Sequence, residues 1–390
     1  MEKSTSISLI SEIMSEFAEL TGLSPAGNVP RRYLWTDAFA VCNFLELYRQ
    51  TGDAEYKELA LRLVDQVHTI LGRHREDDRR TGWISGLDKQ EGIKHPTSGG
   101  LRIGKGLSER KPGEAFDEHL EWERDGQYYH YLTKWIHALN CVSHVTGDAA
   151  YLTWAMELAK TAHARFTYLP SSGGRKQMFW KMSIDLSYPL VKSMGHLDPL
   201  DGFITYNQLK AATKQFGKLT FPDLKAEIDD MADICEGTSW VTDDPLGIGD
   251  LLLNAFKLLQ LIINGNSKEE DLLENLLDSS FQGLKYFAGR NPLKLPAEYR
   301  LAFREFGLSI GLHAVQKIQK LIGQKSAFFH KKHPVYVRIE SLMRHTPMAE
   351  MIEKFWLEST NKKAGTWIEH RDINMVMLAT SLAPDGYLTH

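Results

Sequence analysis

The sequence predicts an all-α fold, an (α/α)6 toroid of six helical hairpins forming a single domain over residues 1–390. Three observations predict it. The phrase Thr51-Gly52-Asp53-Ala54-Glu55-Tyr56 returns 95 residues later as Thr146-Gly147-Asp148-Ala149-Ala150-Tyr151, each time between two helical patterns. Such a phrase ends one helix at Gly and caps the next with Asp, so its recurrence marks a repeated helical hairpin. The helical patterns also come in two kinds, apolar nearly all round and apolar on one face only. Alternating β-branched runs bounded by turns, the mark of strands, are nearly missing.

The elements follow in order. Ser8 to Leu20, interrupted by Glu12, Glu16 and Glu19, reads as an amphipathic helix and not a signal peptide; it is placed as the outer partner that closes a ring. Ala38 to Tyr48 is the first inner helix, apolar through Phe39, Val41, Cys42, Phe44, Leu45 and Leu47. Its outer partner carries Leu59, Leu63, Val67, Ile70 and Leu71 on one face. The repeat interval places Tyr128 to Val145 as the next inner helix and Tyr151 to Phe166 as its partner. Lys181 to Met194, Tyr206 to Phe216 and Leu224 to Cys235 read as helices. Gly249 to Ile263 pairs with Lys268 to Phe287, Ala297 to Ile322 pairs with Val335 to Trp356, and Glu369 to Leu382 is last. An open solenoid, the alternative, would want more regular repeats. The segment 72–126 is a Gly-rich polar excursion that a toroid would carry over one mouth. Connections of that length inside a domain are often functional.

Composition excludes several classes. With 43% hydrophobic and 25% charged residues, the chain reads as an ordinary globular protein able to bury a sizeable core. A net charge of −4 argues against a nucleic-acid partner. Leu251 to Ile263 is too short for a membrane span and contains Lys257, so no membrane partner is expected. Cys42, Cys141 and Cys235 have no close spacing; they show neither a disulfide framework nor a zinc pattern, and Cys42 and Cys141 read as small core residues. The expected compartment is the cytoplasm, with no metal and no cofactor. Gly99-Gly100-Leu101-Arg102-Ile103-Gly104-Lys105 matches most of a phosphate-binding loop. Gly106 follows where Ser or Thr is required, and no strand precedes it.

Candidate chemistry sits at the inner-helix starts. Trp35 and Asp37 open the first; Trp122, Asp125, Tyr128 and His130 surround the second; Trp180 and Asp185 mark the third. Asp250 belongs to the fourth, and His370, Arg371 and Asp372 to the sixth. If alternate helices run up and down, all six starts converge and gather carboxylates, aromatics and His around one cavity. Aromatic faces stack on sugars, carboxylates hold hydroxyls, and one or two acids move protons. Asp37, Asp250, His130 and His370 are the catalytic candidates; Trp35, Trp122, Asp125, Tyr128, Trp180, Asp185, Arg371 and Asp372 are substrate-binding candidates. An Asp at a helix start also has an ordinary duty as a cap, which is the role assigned to Asp53 and Asp148.

The helix–Thr-Gly-Asp–helix hairpins and aromatic-acid helix starts resemble the six-hairpin glycosidase superfamily over the whole chain. Trp35-Thr36-Asp37-Ala38-Phe39 resembles the Trp-x-Asp-x-aromatic element of unsaturated glucuronyl and rhamnogalacturonyl hydrolases. The resemblance implies that Asp37 is a general acid/base. In that family the element follows other hairpins, and its second acid has no match here. The same toroid serves N-acylglucosamine 2-epimerases, whose chemistry uses His near inner-helix starts; His130 and His370 hold comparable places. The expectation is a carbohydrate-active enzyme, a glycoside hydrolase acting through Asp37 on a small-molecule or oligosaccharide substrate. A His-dependent sugar epimerase and a non-catalytic binding or scaffolding toroid are the alternatives.

Overall fold

The computed structural model describes residues 3–27, 30–325 and 329–389. It opens with α1 (Lys3–Leu20). Residues 18–236 pack as one compact unit; the chain from 237 onward, together with the residues up to 17, packs as another.

In the unit 18–236, α2 (Leu34–Thr51) packs on α3 (Ala54–Leu71). Two short helices follow, α4 (Lys89–Lys94) and α5 (Glu118–Glu123). Then α6 (Tyr129–Thr146) packs on α7 (Ala149–Phe166), and α8 (Asp198–Ala212) on α9 (Lys225–Cys235). α2 also lies against α6, and α6 against α8, so these three form the inner row. In the other unit α10 (Pro245–Ile263) packs on α11 (Glu270–Gly289), and α12 (Ala302–Gln324) on α13 (Pro334–Met343) and α14 (Pro347–Leu357). α15 (Gly365–Glu369), α16 (Arg371–Leu382) and α17 (Asp385–Leu388) complete it, with α12 lying between α10 and α16. Ile13 and Glu16 of α1 face Met375 and Leu378 of α16 across a cavity of about 400 Å3. Within that unit α1 is therefore the outer partner of α16, as expected.

The layers differ in burial for a physical reason. An inner helix is covered by its neighbours and by its outer partner, so α2 is buried without a break from Leu34 to Leu47. α3 is buried only along the stripe Leu59, Leu63, Val67 and Leu71 and the positions beside it. The repeat interval holds to the residue: α2 and α3 moved on by 95 become α6 and α7 at both ends. Gly52 (φ 73°) and Gly147 (φ 70°) take the left-handed conformation and close their helices onto the carbonyls of Tyr48 and Ser143. Asp53 accepts from the amide of Glu55 at 3.0 Å and Asp148 from that of Ala150 at 2.9 Å.

Several expected elements are corrected. Lys181–Met194 is not a helix. Pro189 removes an amide donor, and Ser183 Oγ accepts from the amides of Ser187 (3.0 Å) and Tyr188 (3.2 Å), tying a turn between β4 (Lys181–Met182) and β5 (Pro189–Val191). The other strands are β1 (Gln127–Tyr128), β2 (Thr167–Tyr168) and β3 (Gln177–Met178). β1, β4 and β5 form an antiparallel sheet that sets Tyr128 opposite Lys181. The third inner helix begins at Asp198, not at Lys181, and absorbs the expected Tyr206–Phe216 helix, whose last four residues form a 3-10 turn. Val335–Trp356 is broken before Pro347, and the helix expected from Ala297 begins at Ala302. The apolar run at Leu251 starts earlier, at Pro245, and is long and apolar enough by composition to span a membrane. It is 72% buried inside its unit, as a core helix of a soluble protein is.

The segment 72–126 is not a loose excursion. Trp83, Leu101 and Ile103 are buried in the unit. At Gly104 (φ +96°) a Cβ would meet the Arg32 carbonyl oxygen at 2.2 Å, so this glycine serves close packing, not a phosphate.

Two predictions follow from these contacts. Asp53→Ala and Asp148→Ala each lose one helix cap, and urea denaturation is expected to show a loss of about 1 kcal/mol apiece. His68 is fully buried in α3, accepts from Trp135 Nε1 at 3.2 Å, and is driven by burial from 6.5 down to about 3. Between those values the unfolded chain holds a proton that the folded chain refuses, so stability falls as pH drops from 6.5 toward 3. His68→Gln, which keeps an acceptor for Trp135, should flatten that slope by up to about 1.4 kcal/mol per pH unit in denaturation measured across the window.

Candidate active site at the starts of three inner helices

The starts of α2, α6 and α8 meet in the unit 18–236. Tyr33, which precedes α2, and Tyr131 in the first turn of α6 share a hydroxyl–hydroxyl hydrogen bond of 2.7 Å. His130 Nδ1 lies 3.5 Å from Asp198 Oδ1 at the start of α8. Aromatic rings line the space beside them. Tyr128 sits 5.3 Å from His130, 5.2 Å from Tyr131 and 5.3 Å from Trp180; Trp180 lies parallel to the His130 ring at 6.4 Å and meets Trp122 at 5.2 Å. The β-sheet positions this wall: β1 leads directly into α6, and β4 begins one residue after Trp180.

The electrostatics favour neutral phenols and held ammonium groups. Burial raises the Tyr33 hydroxyl to about 12, offset by its bond to Tyr131 and reinforced by Glu123 and Asp125. Burial likewise lifts Tyr128 well above the usual phenol range, helped by Tyr33, Glu121 and Glu123. Lys181 is wholly buried and gives its ammonium to Glu121 Oε1 (2.9 Å) and to the carbonyls of Glu121 (2.6 Å) and Arg124 (2.8 Å). Burial pulls its pKa down while the Glu121 bond and charge oppose it. Glu123 is exposed, and its carboxylate has no hydrogen-bond or ion-pair partner among the described residues.

His130 and Asp198 differ from their neighbours in being incompletely matched. One turn along, Lys134 and Asp201 form a direct 2.8 Å pair between α6 and α8, with both side chains buried. In the His130–Asp198 rung the distance is longer. Neither His130 Nδ1 nor Asp198 Oδ2, both shielded from solvent, has a hydrogen-bond partner. The His130 side chain is 28% exposed and that of Asp198 is 4% exposed. An imidazole open to a ligand and backed by a carboxylate is equipped for proton transfer.

The sequence candidates divide. Tyr128, His130, Trp122 and Trp180 are brought together, and Trp35 lies behind them, buried, 6.5 Å from Tyr131. Asp37 is nearby but engaged: Oδ2 accepts from the Tyr33 amide at 2.9 Å and Oδ1 lies 3.4 Å from Arg32 Nη1, with both side chains almost fully buried. Asp125 is buried and saturated by Arg102 (2.9 Å), Arg75 (3.4 Å) and the amides of Gly104 (2.9 Å) and Gly126 (3.1 Å). Asp185 lies in the β4–β5 turn, not on a helix, bonded to Arg80 at 2.6 Å and to Ser183 and Ser187. Asp250, His370, Arg371 and Asp372 belong to the other unit. There Asp250 lies on α10, Arg371 pairs with Glu16, Asp372 is half-buried, and the exposed His370 meets Phe303 edge-on at 5.4 Å. Starts meet in that unit too: Arg304 reaches Asp244 at 2.7 Å, and the Phe303 amide donates to Asn374 at 2.9 Å.

Tyr33, Tyr131, Lys181, Glu123 and Asp198 escaped the sequence reading as site residues. Asp198 carried a usable signal, because Asp-Pro is a helix-start pair with Pro at the first positions. Lys181 carried none, since its partner Glu121 is 60 residues away.

No family model and no curated protein matches the chain. Solved structures do. The GH76 α-mannanase of Bacteroides thetaiotaomicron superposes with a TM-score of 0.56 at 8% identity, over 97% of this chain and 96% of that one. A D-mannose isomerase superposes with a TM-score of 0.50 at 13% identity, over 98% of each. At such identities the likeness shows the fold alone: the chain has the (α/α)6 architecture.

Asp37→Asn tests the engagement of that carboxylate. It leaves Arg32 buried beside a neutral amide, so a loss of about 3–5 kcal/mol in urea denaturation is expected. Wild-type stability would mean that the Arg32 contact carries nothing.

Proposed function

We propose that the chain is a carbohydrate-active enzyme in which His130, backed by Asp198, moves the proton. One observation carries this reading: a part-exposed imidazole beside a buried carboxylate with an unpartnered oxygen, set in a wall of aromatic rings. Trp180 and Trp122 offer faces on which a sugar ring stacks, with the buried Tyr128 behind them, and the exposed Glu123 offers acceptors for its hydroxyls. On an open-chain sugar, His130 takes the proton from the carbon beside the carbonyl. The electron pair moves onto the carbonyl oxygen to give an enediolate. A proton returned to the former carbonyl carbon, with a hydroxyl proton passing between the two oxygens, completes isomerisation; one returned to the opposite face of the original carbon completes epimerisation. Asp198 orients the imidazole and stabilises its charged form. The likeness to a mannose isomerase supports a small reducing sugar as substrate. In this reading the protein works in the cytoplasm, where its cysteines stay reduced.

Glycoside hydrolysis is the second reading. It is supported by the likeness to an α-mannanase and by two carboxylates, Asp198 with an unmatched oxygen at the start of α8 and the exposed Glu123 at the end of α5, whose charge is felt at Tyr33 and Tyr128. Asp37, the acid implied by the Trp-x-Asp element, serves in it only by leaving Arg32 and the Tyr33 amide.

Free aldoses and ketoses in D2O, run beside aryl glycosides, separate the two. The expected result is deuterium at the carbon next to the carbonyl, lowered about 100-fold or more in His130→Asn with thermal stability kept. Release of the aglycone without exchange would assign hydrolysis instead. Neither activity on any sugar tested would overturn the enzyme reading in favour of a binding toroid.

A further inference from the structure

Below the His130 site, between α2 and α6, two thiols and an imidazole come together. Cys42 Sγ lies 3.9 Å from Cys141 Sγ, and Cys141 Sγ lies 3.6 Å from His137 Nε2. The three ligand atoms all fall within 4.8 Å of one another, on residues that are 0%, 4% and 2% exposed. The cluster follows from the repeat. Moved on by 95 residues, Cys42 becomes His137, so the two stand at the same height on neighbouring inner helices. Cys141 is one turn further along α6 on the same face. His130 occupies that face two turns earlier, about 10 Å along the helix axis.

We propose that Cys42, His137 and Cys141 bind a thiophilic divalent cation of the Zn2+ type. Zn–S bonds of about 2.3 Å and a Zn–N bond of about 2.0–2.1 Å at tetrahedral angles set sulfur from sulfur by about 3.8 Å and sulfur from nitrogen by about 3.6 Å. The separations of 3.9 and 3.6 Å match two of these edges; the third, from Cys42 Sγ to the His137 ring, lies within 4.8 Å and closes to about 3.6 Å when the ion binds. Charge selects the ion. Binding a divalent cation releases two thiol protons to solvent and leaves two thiolates, one neutral imidazole and no net charge, which a buried site tolerates. A monovalent ion on the same ligands would leave a buried negative charge. The chain supplies three positions, a set seen in zinc sites that keep the fourth for water. This site is separate from the carbohydrate reading and stands or falls without it.

The test uses full-length protein made in cells supplied with Zn2+ or Co2+ and passed through a desalting column without chelator. The expected content is about one ion per chain, and the Co2+ form should show thiolate-to-metal charge transfer and the visible bands of a tetrahedral ion. A mercurial thiol reagent should release the ion from wild-type protein, a readout independent of any variant's folding. Cys42→Ala and Cys141→Ala should lower metal content at least about tenfold, with Cys235→Ala unchanged. Wild-type protein holding less than about a tenth of an equivalent of either metal would overturn the proposal. So would a Cys42–Cys141 disulfide in protein isolated without reductant, since it would make the pair a redox element.

Discussion

The structure depends on one constraint: a polar group on a helix buried all round must find a partner within the protein, on a neighbouring helix or at its own helix start. Desolvating a lone charge is far more costly than leaving it in water. The inner helices carry many such groups. Lys134 meets Asp201 across α6 and α8, and Arg32 meets Asp37 at the entrance to α2. Lys181 meets Glu121 across the segment that links the first two hairpins. In the other unit Arg300 holds Glu305 at 2.7 Å, and Glu305 accepts from Trp356 at 2.8 Å. Lys134–Asp201 and Glu305–Trp356 fix which helix faces meet, while Arg32–Asp37 and Arg300–Glu305 close helix starts locally.

The same constraint sorts structural acids from chemical ones. Asp125 receives four donors and has nothing left for a substrate. Asp37 spends both oxygens on its own helix start. Asp198 differs from these two in having one oxygen unmatched, a feature it shares with Glu157 and Glu227, and what sets it apart is its place beside the aromatic wall and the part-exposed His130. Buried polar groups left incomplete are rare in folded proteins and call for an explanation. In the proposed function, substrate hydroxyls and the proton in transit supply one here.

Sequence legibility tracked the range of the interactions. The hairpin turns are local, written in consecutive residues, and they located α2, α3, α6 and α7 closely. The β4–β5 turn is local as well, but its message lay in Pro189 and a run of hydroxyl side chains, against an apolar pattern that suggested helix. Reading Pro199 and Pro347 as first-turn residues would have placed α8 and divided α13 from α14. The sequence pointed to the aromatic part of the proposed site, at Tyr128 and His130 beside the start of α6 and at Trp180, which precedes β4 and not a helix. The site was illegible where a role depends on a distant partner. Whether Asp37 is free depends on Arg32, and whether Asp198 matters depends on His130, and neither dependence leaves a trace in local pattern.

The repeat interval carries further than the turns that revealed it. At equal heights on α2 and α6 it pairs Tyr33 with Tyr128, Trp35 with His130, and Cys42 with His137. The backbone positions are equivalent while the side chains are not. In one hairpin Tyr33 closes a hydrogen bond to the next hairpin and Trp35 packs near Tyr131; in the other Tyr128 lines the aromatic wall and His130 reaches solvent. Two like hairpins supply the same heights twice, on inner helices that are buried along most of their length. Chemistry then needs only the exchange of one apolar side chain for a titratable one whose partner stands at the matching height on the next helix. That is why the acids that cap the repeated turns are structural, while the residues two helical turns apart on α6 face two different sites.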